Sequence, residues 1–205
     1  MDIKERMAII SRELADETQM RQLTAILKYL YLNSSFYDHT ILAHVYLVAG
    51  IAAATTTKVG GHGPLTFISG LLHDIGAAVK GPEDHHKTGA EIAGKILRGI
   101  GYHEDIIIKP VQYCILVHRG SIKSERKSIE AKCVASADGL AHFYQLPTLF
   151  YDAFLGRGLS SDAAGEQIRR KLQNDWEKML PQHRAMVQDM YDVFMKSFGD
   201  KSLAW

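Results

Sequence analysis

Cysteine is almost missing from this chain: only Cys114 and Cys133 occur in 205 residues. Both fall inside apolar helical patterns and they form no CxxC pair, which argues against a disulfide framework or a thiolate zinc site and makes a reducing compartment the default. An excess of one charge is missing as well. The 24 basic and 23 acidic residues leave a net charge of +1, so there is no global pull toward nucleic acid or anionic lipid, and substrate charge must be met locally. Apolar runs are short and interrupted, and the charged start Met1-Asp2-Ile3-Lys4-Glu5-Arg6 has no signal-peptide core. The expectation is a soluble, cytoplasmic protein that does not engage a membrane. No GxSxG and no GxxxxGK[ST] occurs, which removes serine-hydrolase and P-loop chemistry.

What the chain does have is helical periodicity. At 46% hydrophobic it can build one sizeable core, or one domain with a helical cap. Ile3, Met7, Ile10 and Leu14 share one face, as do Leu23, Ile26, Leu27 and Leu30. Residues 41–57 read as an alanine-rich helix stopped by Gly60-Gly61-His62-Gly63-Pro64. Pro64 then suits the first turn of a helix running to His73. Gly76 and Gly81-Pro82 end that region, and further helices cover about 86–99, 104–118 and 125–142. After Pro147 the pattern changes, and two amphipathic helices broken by Pro181 follow a loop at 156–162. The only strand-like piece, Ile106-Ile107-Ile108, is too short to count. The fold class is all-α. The C-terminal helices either cover the core or form a homodimer face, and core cover is favoured.

Several polar residues interrupt the apolar faces. His44 shares a face with Val48 and Ile51, and Asp138 with Val134 and Ala131. His118 extends the stripe Ile107-Val111-Cys114 to a helix end. His73-Asp74 follows the run Phe67–Leu72. A lone inward histidine is ordinarily a core residue bonded to a carbonyl, but a buried unpaired carboxylate costs several kcal/mol by rough estimate. Together these side chains form a nitrogen and oxygen donor set suited to first-row divalent metals. Neighbours on a helix point about 100° apart at roughly 3.6 residues per turn. His73 and Asp74 are therefore expected to serve different ions and not to grip one side by side.

The order His44, His73-Asp74, Asp138 resembles the HD-domain superfamily of metal-dependent phosphohydrolases. Three stretches carry the likeness: His44–Ala52, Leu71-Leu72-His73-Asp74-Ile75-Gly76, and Ala135-Ser136-Ala137-Asp138-Gly139-Leu140. It covers roughly residues 36–145 of a single domain spanning 1–205, with a C-terminal helical cap at about 148–199. Leu47 stands where many members carry arginine, and Ala77 where many two-metal members carry lysine. His85-His86-Lys87-Thr88-Gly89-Ala90 and His118 resemble the additional histidines of two-metal members. The spacing to Gly89 favours His85, with His86 kept as the alternative.

The resemblance implies an HD-type helical bundle with His44, His73, Asp74, His85, His118 and Asp138 around two transition-metal ions (iron, manganese, cobalt, nickel or zinc). Asp74 is the implied bridge and catalytic residue. His39, His86 and His142 would lie behind the ligands. Lys80 and Arg119 stand where a substrate phosphate would be held. His62, His103 and His183 are expected to be solvated. The implied reaction is hydrolysis of a phosphate ester, in particular of a nucleotide, by metal-activated water. Two rival readings share the ligand order: a di-iron oxygenase cleaving a C–C or C–P bond, and a metal-stabilised sensing domain without turnover.

Overall fold

A computed structural model describes residues 12, 16–37 and 40–199. The expected helix through Ile3, Met7, Ile10 and Leu14, and the candidate His39, lie outside the described residues. The chain is all-α, with no strand among the described residues. By contacts it forms two compact units. The first contains the described residues up to Arg119 together with Ser124–Val134. The second contains Gly120–Lys123 and the residues from Ala135 onward.

In the first unit, α1 (Glu17–Leu32) starts where the Asp16 carboxylate accepts from the backbone N–H groups of Thr18 and Gln19, satisfying donors that a helix start leaves open. It buries Leu23, Leu27 and Tyr31, one stripe at i, i+4 and i+8. Helix α2 (Thr40–Lys58) buries Ile41, Val45, Val48, Ala49 and Ala52 along with His44. Its length and mean hydropathy of 1.5 suffice for a membrane crossing by composition alone, contrary to the expectation from sequence. Packing accounts for much of that apolarity, because α3 (Gly63–Leu72) lies directly against it. A side chain at Gly70 would collide with the Ala49 backbone, so glycine permits the close approach.

Helix α3 begins with Pro64 in its first turn, as expected, and ends at Leu72. The Tyr31 hydroxyl donates to the Leu71 carbonyl at 2.8 Å, one of the last-turn carbonyls that a helix cannot satisfy itself. Tyr31→Phe should therefore cost about 1 kcal/mol, read as a lower urea midpoint with an unchanged slope. Of the two breakers read from the sequence, Gly76 does not end the region; the chain runs on to Gly81 and Pro82. It forms a further short helix, α4 (Ile75–Lys80), then turns through Gly81 and Pro82 into α5 (His85–Ile100). A π-helical turn (Glu104–Ile108) leads into α6 (Lys109–Val117). The isoleucine triplet thus belongs to helix, and all three residues are buried.

Helix α7 (Ile129–Tyr144) contributes its first residues to one unit and the rest to the other. The second unit continues with α8 (Leu146–Tyr151), a π-helical turn (Asp152–Gly156), α9 (Ser161–Lys178) and α10 (Pro181–Gly199). Trp176 stacks on Tyr191 with centroids 4.1 Å apart. Ser136 accepts from the Leu180 N–H and lies 2.7 Å from His183 Nδ1, which ties the α9–α10 turn to α7. His183 and His62 are buried, not solvated, while His103 is exposed. Burial pushes the Cys114 thiol up to about 12, which makes it an inert core group.

Candidate metal centre

Four helix ends or faces of the first unit deliver imidazoles to Asp74. His44 comes from the buried face of α2. His73 caps α3, and its Nδ1–H donates to the Gly70 carbonyl at 2.7 Å. His85 opens α5 with Nδ1–H donating to the Pro82 carbonyl at 2.9 Å. His118 caps α6 with Nδ1–H donating to the Ile115 carbonyl at 2.6 Å. A carbonyl oxygen only accepts, so in the neutral form each of these three rings carries its proton on Nδ1 and turns Nε2, the nitrogen able to bind a cation, toward Asp74; only the protonated ring donates from Nε2 to that carboxylate.

Asp74 is the point on which they converge. Its Oδ2 faces His73 Nε2 at 3.3 Å and His44 Nε2 at 3.8 Å. Its Oδ1 faces His85 Nε2 at 3.5 Å and His118 Nε2 at 3.7 Å. Two donor groups able to hold a metal therefore share one carboxylate: His44, His73 and Asp74, and Asp74, His85 and His118. Helical spacing sets His73 and Asp74 apart, yet their donor atoms lie 3.3 Å from each other within one group able to hold a metal. The α-helix ends at Leu72 and Asp74 leaves helical geometry, with φ −103° and ψ 11°, so the usual angular separation does not apply. The carboxylate reaches His73 with one oxygen and the opposite pair with the other.

The donor chemistry fits a cation. His85 and His118 bring their Nε2 atoms to 3.3 Å, and with both Nδ1 atoms protonated two lone pairs would face each other across that gap. Positive charge between or beside them removes the repulsion. Burial pushes the Asp74 carboxyl up, but the charge of His73, hydrogen bonds from His118 and His73, and the charge of His85 outweigh it. Together they hold the carboxyl well below the usual range. Asp74 is therefore an anion at neutral pH, as a metal ligand must be.

Local backbone features build this geometry. Asp84, just before His85, has φ +46°, a left-handed conformation that aspartate tolerates better than most residues. Gly76 passes so close to α5 that a methyl group there would run into the His85 carbonyl and the Gly89 N–H. Gly76→Ala should therefore cost about 1–3 kcal/mol and displace His85. Thermal melting reads the first effect, and weaker metal binding the second.

The other candidates are placed as follows. His86 is buried, with its ring centroid 6.2 Å from that of His85; burial, then the charges of Arg119 and His85, push its pKa down. It is His85 whose Nε2 reaches Asp74. Arg119 is half-buried next to His118 in sequence, and its charge acts on both His86 and Asp84. Lys80 is exposed at the end of α4. Asp138 lies in the second unit, with Lys178 Nζ at 2.5 Å from its Oδ2 and His142 Nδ1 at 3.5 Å from its Oδ1. Asp175 completes that cluster, with Oδ1 at 2.8 Å from Lys178 and Oδ2 at 3.0 Å from His142. Sequence reading passed over Asp175 and Lys178. The signal was present, because Asp175 falls on the buried stripe Ile168, Leu172, Met179.

The HD domain family matches residues 41–142, about half of the chain. The chain belongs to the HD-domain superfamily. Ribonuclease Y of Clostridium novyi is 34% identical over 144 residues, covering 68% of this chain and 26% of that protein. Ribonuclease Y of Clostridium tetani is 36% identical over 109 residues, covering 51% of this chain and 18% of that protein. The chain thus spans about a quarter or less of the length of these relatives. A crystal structure of a predicted HD superfamily hydrolase from an uncultured Thermotogales bacterium matches with a TM-score of 0.53 at 20% identity. That match covers 87% of this chain and 92% of the other, a likeness of fold.

Proposed function

We propose that this HD-domain protein hydrolyses a phosphate ester of a nucleotide at a dinuclear transition-metal centre bridged by Asp74. The observation that carries the reading is the Asp74 carboxylate, whose two oxygens each face a separate histidine pair. His44 and His73 would hold one ion, and His85 and His118 the other. Asp138 is assigned as a further ligand from its place in the HD motif order. When bound, two divalent ions supply a nucleophile from water at neutral pH and neutralise charge building on the phosphoryl oxygens.

The chain's own residues do the rest. The Gly70, Pro82 and Ile115 carbonyls lock three imidazoles with Nε2 turned inward. Asp74 offsets positive charge on both sides at once. Arg119, whose charge is felt at His86 and Asp84, would hold a substrate phosphate oxygen. Lys80 would meet a more distant anionic group from the exposed end of α4.

Similarity to proteins named ribonuclease Y favours hydrolysis over the oxygenase reading. It also adds a short RNA phosphodiester to the candidate substrates, despite the net charge of only +1. The test is a screen of metal-depleted protein, resupplied separately with manganese, iron, cobalt, nickel or zinc. Substrates would be nucleoside monophosphates, cyclic nucleotides and short RNA, with oxygen uptake followed in parallel. Metal-dependent release of phosphate or cleavage of a nucleotide ester is expected. Oxygen consumption on adding a polyol or phosphonate, without ester cleavage, would contradict the reading.

A further inference from the structure

A half-exposed aromatic ring stands beside the turn that delivers His85 to the metal centre. Phe36 is 50% exposed and packs over Gly81. A methyl group placed on Gly81 would lie 3.1 to 3.4 Å from three carbons of the Phe36 ring. Gly81 has φ +91°, a backbone that disfavours any side chain, so the ring rests on bare main chain. Only one imidazole separates this turn from the bridging carboxylate. The carbonyl of Pro82, next to Gly81, accepts from His85 Nδ1 at 2.9 Å, and His85 Nε2 lies 3.5 Å from Asp74 Oδ1. All of these residues belong to the first unit. A lone exposed phenylalanine is ordinary on a protein surface, but this one is held in place. The Ser34 hydroxyl donates to the Ala78 carbonyl of α4 at 2.8 Å and accepts from the backbone N–H groups of Phe36 and Tyr37 at 3.1 and 3.2 Å. The turn carrying the ring is thereby tied to the short helix that starts beside Asp74. Phe36 itself lies outside residues 41–142 that match the HD domain.

We propose that Phe36 is a stacking platform for the nucleobase of the substrate, set beside the centre that would hold its phosphate. This rests on the reading of the site as a nucleotide phosphohydrolase. Every base has a π-face, so stacking tells a nucleoside phosphate from a bare sugar phosphate while choosing only weakly among bases. A ring fixed in advance by its turn loses little conformational freedom when a base settles on it. The base contact lies away from the bond that breaks, so it contributes equally to the bound substrate and to the transition state. Removing the ring therefore raises KM and leaves kcat in place.

The experiment compares the wild-type protein with Phe36→Ala, Phe36→Leu and Phe36→Trp. Adenosine, which carries a base but no ester to cleave, is titrated into the Zn2+-loaded protein and its binding read by saturation-transfer NMR, with ribose as the control. Kinetics follow adenosine monophosphate and ribose 5-phosphate with the metal that gives turnover. Saturation should reach the adenine ring protons in the wild-type protein. Phe36→Ala should weaken adenosine binding about tenfold. It should raise the KM for adenosine monophosphate by a similar factor, with kcat and the ribose 5-phosphate kinetics unchanged. Phe36→Leu keeps apolar cover over Gly81 without a π-face, and the same loss is expected from it should the alanine variant fail to fold. Phe36→Trp should retain wild-type values. No adenosine binding in the wild-type protein, or equal affinity in the wild-type, alanine and leucine proteins, overturns the inference. So does a parallel rise in KM for both phosphates. Absence of ester cleavage with every metal would remove the proposed hydrolysis, and the adenosine titration would then decide the stacking subsite by itself.

Discussion

Asp74→Ala is expected to abolish metal-dependent ester hydrolysis while leaving the helical content and the melting cooperativity of the protein in place. The side chain is the common member of both donor groups, so its loss weakens both ion sites at once. Its removal also takes away the negative charge that four imidazoles surround. Metal assistance supplies several kcal/mol of charge stabilisation, and each decade of rate corresponds to about 1.4 kcal/mol. A fall in kcat of about a thousandfold or more is therefore expected. The loss should not be global unfolding, because the core of Ile68, Leu72, Ile75, Leu97 and Ile107 packs independently of the carboxylate. Circular dichroism and turnover measured on the same preparation check both halves, and full activity in this variant would remove Asp74 from the mechanism.

The second large effect concerns ion count. His118→Ala deletes one Nε2 from the Oδ1 side of Asp74 only, so bound metal should fall toward one equivalent per chain while the Oδ2 side retains its ion. His44→Ala is the mirror case on the Oδ2 side. Elemental analysis after equilibration at limiting metal distinguishes the two situations. One ion in each single variant and two in the parent protein fit a bridged pair. One ion per chain in the parent protein and in both variants alike argues for a single ion held elsewhere.

How much of this was legible before the structure depends on the residue. The helices declared themselves because their buried faces repeat at helical spacing, and the donor residues stood out as polar interruptions of those faces. His44 could be placed beside Val48, and His118 at a helix end. The break after Leu72 was not legible. Nothing in Leu71-Leu72-His73-Asp74-Ile75-Gly76 shows that Asp74 departs from helical geometry, because that departure depends on α4 turning back so that Gly76 meets α5. That turn brings the His73 and Asp74 donor atoms within 3.3 Å, closer than helical spacing leads one to expect. Tyr31 looked like one more stripe residue, and only its partner, the Leu71 carbonyl, reveals why a hydroxyl sits in that position. His62 and His183 were misread for a similar reason. Glycine and proline beside them suggested solvent, but burial is decided by what packs over a turn, which the local sequence does not record. Asp175 is legible in the sequence as a carboxylate in the register of the apolar stripe Ile168, Leu172 and Met179.

The most direct test is anomalous diffraction from crystals of the protein loaded with Mn2+. Two anomalous peaks are predicted, one within bonding distance of Asp74 Oδ2 and the Nε2 atoms of His44 and His73, the other of Asp74 Oδ1 and the Nε2 atoms of His85 and His118. A map with no peak in bonding contact with Asp74, in crystals whose metal content was verified, would contradict the account.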